Sequence, residues 1–358
     1  MNLPVLTTRS AVYDTLPPTP KGFAREALPA LVDARGRRYS YLRFSVTDRC
    51  DLACTYCMPP GGEHEHARRA ELLSFEEIVG LARTFASIGI RRVRLTGGEP
   101  LVRKDICDLV RLMSRDTELD EIVMTTNATR LEELAEPLAR AGLAGVNVSL
   151  DTLDPGRFAS LTRGGELAGV LRGIRAAIDV GMKVKLNTVL LRGETDAEAA
   201  AIVEYAWALG ATPRFIELMP IGEGANLPSR LRVTAAEVRA LLSDHLGGAI
   251  PCAGRDQGPA SYFGAADGSD RKVGFITPLS DEFCDTCNRV RVTARGDLRA
   301  CLASRRAVSL RDVMRANGGP RDLAWAIHWS VSGKEAGHHF VQAGEREHEN
   351  VGMSLIGG

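Results

Sequence analysis

The sequence predicts an α/β fold, an open and incomplete barrel of six strand–helix units followed by a C-terminal extension. Three observations carry this. From Tyr41 to Pro220, short β-branched or apolar runs alternate with amphipathic segments, the pattern of parallel strands joined by right-handed helical crossovers. Glycines recur at the expected helix ends, Gly89, Gly142, Gly181 and Gly210, where a left-handed terminus favours a residue without a Cβ. Polar tips (TGGEP, TTNAT, SLDT, ELMP) follow the strand runs and would gather at one mouth, the end where α/β folds place their chemistry.

Taken in order, residues 1–38 contain TLPPTPKG and show no sustained periodicity, which reads as a flexible or loosely docked extension. The barrel is expected over 39–220, with strands at YLRFSV, RVRLT, EIVMTT, GVNVSL, KVKLNTVLL and RFIELM. Helices at SFEEIVGLARTFASIG and TDAEAAAIVEYAWALG each open on a capping-box pair, Ser74 with Glu77 and Thr195 with Glu198. Residues 221–330 form a C-terminal region. It starts with a glycine-rich stretch to about 275, holding one helix near TAAEVRALLSDH, which carries the chain back across the barrel. A cysteine-bearing run and a helix around SLRDVMR follow. Residues 331–358 are polar, rich in glycine and histidine, and read as a mobile tail ending in Gly357–Gly358.

At 358 residues, 44% hydrophobic and 25% charged, the chain has the composition of a globular protein with a substantial core. Lys+Arg 45 against Asp+Glu 45 argues against a general nucleic-acid or anionic-membrane surface. No apolar run reaches the length of a membrane span, and MNLPVLTTRS lacks a signal-peptide core. A cytoplasmic address follows by default, and in that reducing setting clustered cysteines read as metal or redox groups before disulfides.

Six of the eight cysteines fall into two triplets, Cys50, Cys54 and Cys57 in C-x3-C-x2-C, and Cys284, Cys287 and Cys301 in C-x2-C-x13-C. Cys107 and Cys252 stand alone and read as ordinary thiols. Each triplet is one ligand short of a metal tetrahedron. A zinc site could borrow His64 or His66 for the first and His328 for the second. An iron–sulfur cluster could instead leave one iron open to a small molecule. Spacing leaves both readings standing.

CDLACTYC after the first strand run, with TGGEP ending the second, resembles the radical S-adenosylmethionine (SAM) superfamily. That resemblance implies an incomplete (β/α)6 TIM-like radical SAM barrel. Its Cys50, Cys54 and Cys57 would hold a [4Fe–4S] cluster whose open iron chelates SAM. The run FCDTCNRVRVTARGDLRACL, together with YLRFSVTDRC, LLSFEEI, NVSLDTLDP and NTVLLRG, is similar to the GTP 3′,8-cyclase (MoaA) family, from about Arg37 to Cys301. Asp51, where that family usually has Asn, and the longer N-terminal extension are departures.

The resemblance implies a second [4Fe–4S] cluster on Cys284, Cys287 and Cys301, with GTP on its open iron. It nominates Tyr56, Gly98, Ser149 and Met219 for SAM. For GTP it nominates Arg43, Arg94, Thr125, Lys185, Arg289 and Arg291, with Lys183 the competitor for the lysine role. Arg289 and Arg291 alternate on an extended run and so point to one side, and guanidinium forks suit phosphate oxygens. The implied reaction is removal of the ribose 3′ hydrogen by a deoxyadenosyl radical, closure onto guanine C8, and reduction, the first step of molybdenum-cofactor synthesis. It calls for an external electron donor and a next pathway enzyme, cyclic pyranopterin monophosphate synthase, to receive product, in a monomer or homodimer. Gly357–Gly358 would reach the active site. Two alternatives stay open at this point, a peptide-modifying radical SAM maturase and a zinc-stabilised binding module.

Overall fold

The computed structural model describes residues 12–24, 27–59, 66–251, 258–338, 340 and 353–356. After a short edge strand β1 (Val12–Tyr13), six consecutive parallel strands form the centre. These are β2 (Tyr41–Ser45), β3 (Arg92–Thr96), β4 (Glu121–Thr126), β5 (Gly145–Ser149), β6 (Lys183–Val189) and β7 (Thr212–Ile216). Two C-terminal groups extend the sheet. β8 (Leu246–Pro251), β9 (Ser261–Ala265) and β10 (Lys272–Ile276) add to the β7 edge, while β11 (Arg289–Val292), β12 (Asp297–Arg299) and β13 (Arg306–Ser309) add to the β2 edge.

The two-residue period of the central strands divides core from lumen. Leu42 and Phe44, Val93 and Leu95, Val146 and Val148 are buried against the surrounding helices. Between them, Arg43, Arg94, Asn147 and Lys185 face the barrel interior. Helix Phe75–Ser87 packs Ile78, Leu81 and Phe85 into the same core, each such side chain contributing about 1.5–3 kcal/mol. Its Ser74–Glu77 capping box forms in both directions. Gly89, Gly142, Gly181 and Gly210 all take positive φ.

Five expectations need correction. The chain does not recross the barrel over 221–275, because β8–β10 stay on one edge and the crossing falls at 277–288. β10 runs parallel to β7 and β11 parallel to β2, so this strap descends the open side from the mouth to the strand starts, carrying Cys284 and Cys287.

The expected capping box at Thr195 does not form. Glu198 instead accepts from the Thr152 hydroxyl and Leu153 N and pairs with Arg157, so the helix begins at Ala199. The last barrel strand ends at Ile216, because Glu217 turns inward to accept from Ala235 N, Leu279 N and Ser280 N.

The described part of the N-terminal extension is packed rather than loose. The Trp325 indole donates to Pro17 O at 2.9 Å, Arg321 donates to Phe23 O at 2.6 Å, and Phe23 meets Trp325 edge-on at 5.3 Å. The tail also starts bound, since Arg37 donates to the carbonyls of Lys334, Glu335 and Ala336. Helix Met353–Ile356 returns to the mouth, with Ile356 buried beside Ile221 and against Met219 and Phe340. Gly357–Gly358, Cys252 and His64 lie outside the described residues.

Candidate active site

The first triplet sits on the loop leaving β2 at the mouth. Its backing is the glycine pair after β3. Gly98 N donates to Thr47 O at 2.9 Å and Glu99 N to Arg49 O at 2.7 Å. A Cβ on Gly98 would lie 2.2 Å from Arg49 O, and one on Gly97 would lie 2.6 Å from Thr47 O. The glycines therefore serve a close backbone-to-backbone approach behind Cys50. Cys57 N and Met58 N both donate to Cys54 O at 2.9 Å, turning the second and third cysteines together. Arg163, which the sequence reading missed, donates to the carbonyls of Ala53, Met58 and Pro59 and ties down the far side of the loop. Asp51 accepts from Asn127 Nδ2 at 2.8 Å and the Thr129 hydroxyl at 2.6 Å, so this departure from the family pattern is held by the TTNAT tip.

Tyr56, between two cysteines, donates its hydroxyl to Asp151 Oδ2 at 2.6 Å. Burial pushes Asp151 up to about 6, against the bonds from Tyr56 and Val189 N. Glu99 is buried, and burial raises it to about 7 despite bonds from Asn127 N, Leu101 N and the Thr126 hydroxyl. Both of its oxygens accept from groups inside the protein. Burial drives the Cys50 thiol up to about 12 and Cys54 well above its usual value. Among the causes that act on Cys50 and Cys54 burial comes first and no cation of the described residues offsets it, which suits a site where bound metal supplies the positive charge.

The second triplet is assembled from the strap and the turn after β12. Cys284 and Cys287 bracket a tight turn, with Cys287 N donating to Cys284 O at 3.2 Å, and Cys301 follows Arg299. Burial pushes Cys287 up, but the Arg289 and Lys334 cations outweigh it and bring it down to about 6. Among the described residues, neither triplet holds its three sulfurs within 4.8 Å of one another. A single tetrahedral zinc with bonds of about 2.3 Å would set them about 3.8 Å apart, so neither triplet is gathered for one zinc ion. His328 is not brought to the second triplet; its Nε2 lies 3.1 Å from Pro29 O, beside Phe23. His66 lies near Asp48, at 3.9 Å.

A cavity of about 270 Å³ reaches from Tyr56 of the first cysteine loop, Ser149 and Met219 at the mouth to Cys284, Cys287 and Cys301 below. Its walls carry seven cationic side chains (Arg43, Arg92, Arg94, Lys185, Arg214, Arg289 and Arg291) against one carboxylate, Asp151. Burial, then the Arg291 and Arg94 cations, depresses Arg43 well below the usual range, and burial followed by Arg289 brings Arg291 to about 10. Cations crowded this closely fit an anion of several charges. The cavity gathers all six residues nominated for the nucleotide and three of the four nominated for SAM. The fourth, Gly98, is set by its contact with the cysteine loop. Lys183 sits exposed at the start of β6, one turn of the pleat below Lys185, which lines the cavity.

Sequence reading missed Arg214 and Tyr262. Arg214 donates to Asn187 Oδ1 at 2.5 Å, and Lys185 Nζ lies 3.5 Å from the Tyr262 hydroxyl. The alternation of Arg214 with buried Phe215 in TPRFI was the available signal for the first. Tyr262 carried none, because β9 reaches the lumen only through the sheet order.

Comparison with known proteins agrees with this architecture. Residues 44–206 match the Radical SAM superfamily and residues 211–340 match Molybdenum Cofactor Synthesis C. The chain is 43% identical over 334 residues to GTP 3′,8-cyclase of Caulobacter vibrioides, covering 92% of this chain and 94% of that protein. It is 44% identical over 330 residues to GTP 3′,8-cyclase of Pelotomaculum thermopropionicum, covering 91% and 99%. Among solved structures, Streptococcus suis SuiB bound to precursor peptide SuiA shares the fold. The TM-score is 0.56 at 16% identity, over 74% of this chain and 60% of that one. Membership implies a [4Fe–4S] cluster and SAM, and no helix among the described residues is long and apolar enough to cross a membrane. The chain belongs to the GTP 3′,8-cyclase family of radical SAM enzymes.

Proposed function

We propose that the cavity holds GTP between two [4Fe–4S] clusters and that the chain converts it to (8S)-3′,8-cyclo-7,8-dihydroguanosine 5′-triphosphate. The SAM cluster is assigned to Cys50, Cys54 and Cys57, and the substrate cluster to Cys284, Cys287 and Cys301. One observation carries the reading: a cation-rich cavity lined at one end by Cys284, Cys287 and Cys301 and at the other by Tyr56 of the first cysteine loop. A triphosphate matches seven cations and one carboxylate, whereas a peptide substrate gives no reason for such an excess.

The strands set the division of labour. Arg43, Arg94, Lys185, Arg289 and Arg291 bind phosphate oxygens from the inward faces of β2, β3, β6 and β11. Arg94 also reaches the Thr125 hydroxyl at 3.3 Å, fixing both at one end of the nucleotide. Tyr56, held by Asp151, and Ser149 and Met219 form the SAM side of the cavity. When bound, the reduced cluster and SAM supply the one-electron chemistry that removes the ribose 3′ hydrogen. The chain fixes the sugar beneath that point and keeps water out, restricting the outcome to ring closure. An external donor delivers the electrons, and the next enzyme of the pathway receives the product.

Anaerobic reconstitution should load about eight irons per chain, and incubation with SAM, GTP and a reductant should give the cyclic triphosphate. About four irons with SAM cleavage but no consumption of GTP would overturn the substrate-cluster assignment. Zinc in place of iron would overturn both.

A further inference from the structure

Lys334 lies just beyond helix Pro320–Ser332, in a segment the barrel chemistry described above does not use. Its Nζ is 3.3 Å from Cys287 Sγ and 3.2 Å from Arg289 O, and it stands 4.7 Å over the Tyr39 ring. Among the described residues it makes no ion pair with a carboxylate, so sulfur is its anionic partner. The position is fixed from the opposite end of the sequence. Arg37 donates to Cys284 O at 3.0 Å, to Ala336 O at 3.1 Å and to Glu335 O at 2.8 Å. Arg37 is itself held by Asp33 at 2.5 Å, and Asp33 also accepts from the Tyr39 hydroxyl at 2.7 Å. One guanidinium thus fastens the Lys334 segment and the Cys284 turn to the same point.

We propose that Lys334 is a positioning residue for the second cluster, its ammonium hydrogen-bonding the Cys287 sulfur and setting the cluster's reduction potential. The inference rests on the assignment of that cluster to Cys284, Cys287 and Cys301. Hydrogen bonds to ligand sulfurs and nearby positive charge both stabilise the more negative, reduced state and so raise the potential. Arg289 Nη2, at 3.7 Å from the same sulfur, is placed to serve substrate phosphate, whereas Lys334 approaches from outside the cavity wall and stays with the sulfur.

The test uses the full chain with Cys50, Cys54 and Cys57 replaced by Ala, so that only the second cluster reports. Iron content is measured first, then the midpoint potential by EPR-monitored titration, in this parent and with Lys334→Gln or Lys334→Arg added. Lys334→Gln should shift the midpoint to lower potential, and Lys334→Arg should stay near the parent. A cluster retained by the Arg variant and lost by the Gln variant would also support the charge requirement. An unshifted potential in Lys334→Gln at full iron content would overturn the inference alone. Equal shifts in both variants, or loss of the cluster from both, would also overturn it, because shape rather than charge would then be at work. A parent without iron would overturn the second-cluster assignment and this inference together.

Discussion

The Tyr56 hydroxyl donates to Asp151 Oδ2 at 2.6 Å, so the aromatic ring between two cysteines is oriented from the end of β5, on another wall of the cavity. Tyr56→Phe should keep the iron and weaken SAM binding by about 1.5–3 kcal/mol, the scale of a hydrogen bond to a charged group. SAM affinity by calorimetry on reconstituted protein checks this, and an unchanged affinity would show that the bond does not position the ring.

Glu99 supplies a pH signature in the iron-free chain. Its carboxyl is raised by burial from 4.5 to about 7, so the folded state binds its proton more tightly than the unfolded state does. The stabilisation from that proton is complete below about pH 4.5 and lost as pH rises through about 7. Relative to Glu99→Gln, the parent should lose about 3 kcal/mol across that window, measured by denaturant unfolding at several pH values. Parallel curves for the two proteins would show that Glu99 titrates normally.

Replacing the cysteines separates the roles of the two triplets. Cys50→Ala, Cys54→Ala or Cys57→Ala should remove about four irons and abolish SAM cleavage. Cys284→Ala, Cys287→Ala or Cys301→Ala should leave uncoupled SAM cleavage while cyclisation disappears. Cyclic product at near parental rate from Cys287→Ala would contradict the substrate-cluster assignment.

Arg289→Ala and Arg291→Ala should each weaken GTP binding by about 1.5–3 kcal/mol and affect guanosine far less. The same discrimination is expected for Arg214→Ala. Equal losses with both ligands would point to damage at the cluster.

The docked tail predicts a kinetic defect without a binding defect. Ile356→Asp places a carboxylate in the apolar contact with Ile221 and Met219, and should undock the segment that leads to Gly357–Gly358. Removing those two glycines should act in the same direction. In both proteins the iron content and GTP affinity should persist while product formation falls at least tenfold, about 1.4 kcal/mol of barrier. Full turnover by either would return the tail to a passive role.

The barrel was legible in the sequence because periodicity is local. Leu42 and Phe44 alternate with Tyr41 and Arg43, and Val184 and Leu186 with Lys185, so both core and lumen could be read strand by strand. Cysteine spacing and the TGGEP tip carried the site in the same way. Partners set by long-range packing were not legible. Glu198 matched a capping box, yet Thr152 and Leu153, more than forty residues upstream, claim its carboxylate. TLPPTPKG has no periodicity because it docks through backbone carbonyls that accept from Arg321 and Trp325. The strap at 277–288 was misplaced because strand order, and not any property of its residues, decides where the chain crosses.

That strap also sets an order of events during synthesis. Cys57 and Cys284 are separated by about 230 residues, on the order of 10–45 s of chain growth at about 5–20 residues per second. All three cysteines of the first triplet, with the Gly97–Gly98 backing, leave the ribosome while the β2 edge still lacks β11. The upper cysteine loop can therefore take its place on a nascent half-barrel whose side wall is missing. The lower triplet waits for Cys301, and is completed only after the strap has closed the wall around it.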